Sequence, residues 1–291
     1  MNWFTLSLLC AITLATADVL TKKQLTGYSG MQLVLVRLVV PGVLLAPLLF
    51  IYPLPATPFA FWGWVMLLVP LELFAMLLYM QAIRDAPFYQ TLPYLSFTPV
   101  FNILTGWLLL DEQVSLLGAS GIVLVVLGAY LLNIDQLRQN GKLHWIEPLR
   151  ATLHQQGARR MLVVAIIYSF TSVIGKAAMQ YVGELNFAAF YFALLGVTTL
   201  LLVALRKPAE LNVLMRNSRW HLIIGALMVV MVITHFLAIA KIEAAYMIAV
   251  KRLSLLFGIL FGAWLLNEKG LTKNLSATSF MVAGVALILL A

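Results

Sequence analysis

Six ionisable side chains of this 291-residue chain lie inside stretches that are otherwise apolar: Asp18, Arg37, Glu72, Lys176, Lys251 and Arg252, with Lys22 at a boundary. A charge taken out of water is costly unless it is paired, so such groups are candidates for binding or proton transfer. Four cations stand against two acids. Either the long basic side chains reach back toward polar surroundings, or an anion completes the site. Lys251 and Arg252 are the most informative pair. Neighbouring helical residues point about 100° apart, so the two cannot share one escape route. Lys251 shares a face with Ser254, Gly258 and Gly262, a small and polar stripe suited to a cavity wall or a close helix contact.

Glu72 falls in the middle of its stretch. It reads either as a proton-coupling carboxylate, taking a proton and the substrate in alternation, or as one member of a fixed ion pair. Asp18 is a second proton-coupling candidate, although its i, i+4 spacing to Lys22 favours local pairing along one helix face. Lys176 has Ser172 four residues earlier, where an acid would stand, so it lacks that partner and is a candidate for substrate contact. Arg37, near the start of its stretch, is expected to extend toward the polar boundary. His235 is a third proton-coupling candidate, set against the commoner role of a hydrogen-bonded structural imidazole. Tyr79, Tyr94, Tyr168 and Tyr246 each offer an apolar face and a donor to a pocket. With 16 Phe and seven Trp in the chain, packing is the default for any single ring.

The elements that position these groups follow from composition. Apolar and aromatic residues make up 63% of the chain, charged residues 10%, and the mean hydropathy is +0.98. A soluble domain carries roughly 25% charged residues, so this chain's outer face must contact lipid. Its net charge of +8 reads as membrane topology, and no nucleic-acid partner is expected. Helices of about 20 apolar residues are expected near 3–22, 31–52, 61–82, 87–110, 115–134, 161–181, 186–205, 219–240, 244–266 and 273–291. Trp3, Trp62, Trp64 and Trp220 stand at span edges, where an amphipathic ring prefers the interface. Pro87, Pro93 and Pro99 interrupt the fourth span and free backbone carbonyls, a feature of cavity-lining or hinged helices. Met1-Asn2 gives no basic start for a cleavable signal. The one cysteine, Cys10, excludes an intrachain disulfide.

The chain divides into a five-helix segment at 1–135, a polar linker at 136–160 and a second five-helix segment at 161–291. Displaced by 156 residues, Ala82–Glu112 overlays Ala238–Glu268, and Gly106-Trp-Leu-Leu-Leu-Asp-Glu112 overlays Gly262-Ala-Trp-Leu-Leu-Asn-Glu268. Trp64/Trp220, Gly128/Gly284, Glu72/Met228 and Tyr79/His235 share that offset, while Lys22 overlays Lys176 at 154. The counterparts of Lys251, Ser254, Gly258 and Gly262 are Leu95, Thr98, Asn102 and Gly106, so Asn102 is expected to face the same space as Lys251. An odd number of helices per repeat makes the two copies face opposite ways. Inverted repeats with a site between them near the midplane are characteristic of secondary transporters.

On the paired Lys22 and Lys176, the two Gly-to-Glu endings and the Gly128 and Gly284 helices, the sequence resembles the ten-helix EamA-like members of the drug/metabolite transporter superfamily. The resemblance spans nearly the whole chain. It implies an all-α, multi-pass protein of a plasma or bacterial inner membrane that exports or exchanges a small organic metabolite by alternating access. It also implies a central cavity lined by the first, third and fourth helices of each half. The excess of buried cations favours an anionic or zwitterionic substrate. The expected site is therefore Lys251, Arg252, Lys176, Asn102, Tyr79 and Ser254 for substrate, with Glu72, Asp18 and His235 for a coupling proton. No metal, cofactor or catalytic residue is expected.

Loops after odd-numbered spans carry fourteen Lys or Arg and the opposite side only Lys241, which places both termini outside; familiar members of the family have them inside. Two other functions compete. A flippase of a lipid-linked substrate would use the same scaffold. An intramembrane protease would use Ser120 in Gly118-Ala-Ser-Gly121, but the repeat copy lacks the glycines and a general base would have to come from another helix. No phosphate-binding G-x-x-x-x-G-K-[ST] motif is present, so the driving force would be a gradient or exchange.

Overall fold

The computed structural model describes residues 1–131, 155–266 and 275–291, and these are helical, with no strand among them. Ten longer helical segments follow in chain order, beside short helical turns at Phe88–Thr91, Pro208–Asn212 and Val213–Arg216. The first half holds α1 (Trp3–Gln24), α2 (Gly30–Ile51, with a short break before Leu48), α3 (Phe59–Asp85), α4 (a 3-10 stretch at Leu92–Phe97 running into Thr98–Leu110) and α5 (Leu116–Leu131). The second holds α6 (Gln156–Met179), α7 (Glu184–Arg206), α8 (Ser218–Ile239), α9 (Ala244–Lys251, resuming at Leu253–Leu266) and α10 (Leu275–Leu289). Eight of them, α1 to α4 and α6 to α9, are long and apolar enough to cross a bilayer. At 1.5 Å per residue α5 and α10 span only about 22–24 Å, short of the roughly 30 Å hydrocarbon core. Helix α6 begins at Gln156, ahead of the expected 161, so the polar linker is shorter than 136–160. The rest of that linker, and Glu268 of the repeated ending, lie outside the described residues.

Local chemistry sets the helix ends. Asn2 caps α1 by accepting from the Thr5 amide (2.8 Å). Ser29 and Gln32 form a reciprocal capping box at the start of α2, satisfying two otherwise unpaired amides. Helix α4 closes on Asp111, whose φ of 53° is left-handed. The amides of Asp111 and Glu112 donate back to the carbonyls of Trp107 and Gly106, the first being the 5→1 bond of an αL cap. That turn folds the Glu112 carboxylate over Gly106, where a Cβ would lie 2.8 Å from Oε2. The glycine and the glutamate of the repeated motif are thus one device.

The outer surface presents Phe50, Phe59, Leu104, Leu201, Leu222 and Val282, all exposed, as a lipid-facing surface requires. The main helix contacts join the halves. Helix α1 packs on α8 and α9, while α6 packs reciprocally on α3 and α4; α2 pairs with α7 and α5 with α10. These exchanges are what a two-fold relation between copies produces. Glycines at the two self-paired crossings show it in detail. Gly42 of α2 faces Gly196 of α7, 154 residues on, and each leaves room for the other's backbone. In α5 and α10, Gly121 abuts Gly284, and its symmetric counterpart Gly128 abuts Ala277. The chain therefore packs as two interlocked halves.

Candidate functional site

Asp18 of α1 is 3% exposed and Arg37 of α2 is 1% exposed. They pair at 2.7 Å, the Tyr79 hydroxyl of α3 donates to the other Asp18 oxygen at 2.5 Å, and Thr21 accepts from Arg37 at 3.4 Å. A buried carboxylate and guanidinium so arranged cancel each other's charge and form a structural unit, with Arg37 Nε left outside its hydrogen bonds. This corrects two expectations. Asp18 pairs with Arg37 rather than with Lys22, and Arg37 does not extend to the boundary, because a partner on the preceding helix is closer than water. Lys22 donates to the Ala86 carbonyl (3.0 Å) and lies over the Phe88 ring.

The same three positions in the second half, at offsets of 154 and 156, are Ser172, Tyr191 and His235. They face a cavity of about 100 Å³ that is also lined by Arg37, Glu72, Met76, Tyr79, Tyr168, Thr171, Met228, Met231, Lys251 and Arg252. That volume holds several waters or a few heavy atoms of a ligand. Lys251 approaches His235 Nδ1 at 3.4 Å. Among the described residues no carboxylate lies within ion-pair distance of Lys251 or Arg252. Arg252 is buried with its Nε unpartnered, and so is the Tyr191 hydroxyl. Polar hydrogens left this way inside a protein are costly; Arg37 Nε and Asn102 Nδ2 are buried in the same state.

The backbone at this depth is interrupted twice. Helix α9 breaks at Arg252, whose amide is shared between the carbonyls of Ile248 and Ala249. Helix α4 is 3-10 over Leu92–Phe97, which spans Leu95 and Ser96, the repeat positions of Lys251 and Arg252. Proline accounts for the α4 interruption. In α9 no proline is present, so the break that turns two adjacent cations toward one chamber had no signal in the sequence beyond its repeat partner.

A second polar cluster links the halves at one end of the chamber. Lys176 of α6 meets Glu112 at 2.5 Å and donates to the Ile242 carbonyl at 2.6 Å, while the amide of Ala244, opening α9, donates to the other Glu112 oxygen at 2.9 Å. Lys22 and Ala86 repeat the Lys176–Ile242 contact in the first half.

Of the nine residues expected to form the site, Glu72, Tyr79, His235, Lys251 and Arg252 line the chamber. Asp18 is closed on Arg37. Lys176 is held by Glu112, so the partner it lacked along its own helix comes from another. Asn102 is buried against Ser172, accepting from its hydroxyl at 3.2 Å, and Ser254 is buried off the chamber wall. Tyr191 and Thr171, which sequence reasoning missed, line it; Tyr191 could have been found as the 154-residue partner of Arg37. Ser120 donates to the Leu117 carbonyl of its own helix (2.6 Å). Gly118 beside it makes room for the Tyr246 ring, and Gly121 for α10, so packing explains that motif.

One crystal structure superposes on 99% of this chain and 95% of its own with a TM-score of 0.69 at 15% identity, a likeness of fold alone. No curated protein sequence matches significantly. The EamA-like transporter family matches residues 1–134 and again 157–290. On that double match, over nearly its whole length, the chain belongs to the EamA-like transporter family and is a multi-pass membrane transporter of small molecules, not an enzyme.

Proposed function

We propose that the protein carries a small organic anion by alternating access around the chamber between its halves, as an exporter or exchanger, with α5 and α10 completing a set of ten crossing helices. One observation carries the reading: Lys251 and Arg252 converge on a cavity at a helix break with no acid within ion-pair distance among the described residues. A carboxylate or similar anion would satisfy both, and the Arg252 fork suits a planar oxyanion. Met76, Met228, Met231 and Phe236, on the same wall, offer an apolar and adaptable surface to the substrate's body. Alternation requires one end of the chamber to part. At the Glu112 end, Glu112 belongs to the first half and Lys176 and Ala244 to the second, so opening there separates Glu112 from both.

Uptake into proteoliposomes, screened over carboxylates, zwitterions and amines, tests the reading. Organic anions should be preferred, and Lys251→Met or Arg252→Met should each lower uptake at least tenfold while leaving the elution profile unchanged. Full activity in the double variant would overturn it.

A further inference from the structure

The charge balance of the chamber, taken with the anion reading on which this inference rests, sets the sign of its coupling to protons. Asp18 and Arg37 cancel each other at 2.7 Å. What remains on the wall is Lys251 and Arg252 against the single carboxylate of Glu72. Glu72, from α3, faces Thr171 and Tyr168 of α6, Tyr191 of α7 and Lys251 of α9. On the far wall, His235 of α8 lies against Lys251 and Arg252, and the Cys10 thiol of α1 lies in the field of both. Hydroxyls surround Glu72, and among the described residues no cation is within ion-pair distance of it. Those hydroxyls can donate to the carboxylate or accept from the carboxylic acid.

We propose that a proton on Glu72 and an anion at Lys251–Arg252 bind together, so that the protein moves an organic anion in company with a proton. With Glu72 ionised the wall carries one net positive charge, and the carboxylate repels an incoming anion across the cavity. Protonation makes that charge two and removes the repulsion. The proton comes from water on the side to which the chamber is open and leaves with the anion on the other. A unit charge about 12 Å from the bound anion, at an effective dielectric constant of about 20, changes affinity by about tenfold, and a nearer one changes it by more. Linkage makes the effect mutual: the anion raises proton affinity by the same factor. A carboxylate that bound an ammonium would do the reverse, with proton and substrate competing for it. The sign therefore separates an anion carrier from a zwitterion or amine carrier built on the same residues.

The probe is methanesulfonate, small enough for the chamber and of a charge that does not change between pH 5.5 and 8, titrated calorimetrically into the purified full chain. About tenfold tighter binding at pH 5.5 is expected, with proton uptake on binding. Glu72→Gln should bind about as tightly at pH 8 as the parent does at pH 5.5. Binding independent of pH, or tighter at pH 8, overturns the coupling and leaves the anion site standing. Glu72→Gln that keeps the full pH dependence assigns the proton elsewhere and overturns the role of Glu72. Absence of binding at both pH values overturns the anion site and this inference with it.

Discussion

Asp18, Arg37 and Tyr79 in the first half occupy the same places as Ser172, Tyr191 and His235 in the second, yet the two sets do opposite work. In the first, a carboxylate and a guanidinium close on each other within the bundle and tie α1, α2 and α3 together. In the second, a hydroxyl, a phenol and an imidazole stay open to the cavity, and the charges have moved to α9 as Lys251 and Arg252. The difference teaches how a duplicated scaffold divides labour. Charges that find partners tie helices together; Lys251 and Arg252, without an ion-pair partner among the described residues, line the cavity.

The comparison can be broken first on the structural side. Arg37→Met leaves Asp18 buried without its cation and should cost about 3–5 kcal/mol, read as a fall in thermal midpoint in detergent. Adding Asp18→Asn should recover much of that loss, because the stranded charge is gone. A single variant as stable as the parent would show that the triad is not structural. Rebuilding the triad in the second half is the next largest test. Ser172→Asp with Tyr191→Arg should fold and yet lose at least tenfold in uptake, since an ion pair would then fill the open wall. Normal uptake would mean that those positions do not face the substrate. The smallest effect is expected of Tyr191→Phe. Its hydroxyl faces Glu72 but makes no hydrogen bond to another described residue, so stability should move by no more than about 0.5 kcal/mol, while substrate affinity falls about threefold if that hydroxyl meets the ligand. A large stability loss instead would place the phenol in the structural class with Tyr79.

The membrane-spanning helices, their order and the duplication were legible in the chain, and so was most of the cationic wall. Spans follow from apolar length, and the repeat from Lys22/Lys176 and the Gly-to-Glu endings. Lys251, Arg252, Glu72 and His235 stood out because ionisable groups in apolar stretches need a reason. Partners were not legible. The i, i+4 rule offered Lys22 to Asp18, but Arg37 reached it from α2. Ser172 left Lys176 seemingly unpaired, although Glu112 arrives from the other half. Local spacing reports neighbours on one helix, and in a bundle the deciding neighbours come from other helices.

Sequence alone determined the class, the halves and the surplus of buried positive charge, because hydropathy and composition depend only on which residues are present. Which charges cancel and which remain was decided by tertiary packing alone. Ion pairs form over about 3 Å, and only the fold says which two of several buried charges come that close. Asp18 met Arg37, Glu112 met Lys176, and Lys251 and Arg252 were left facing the chamber.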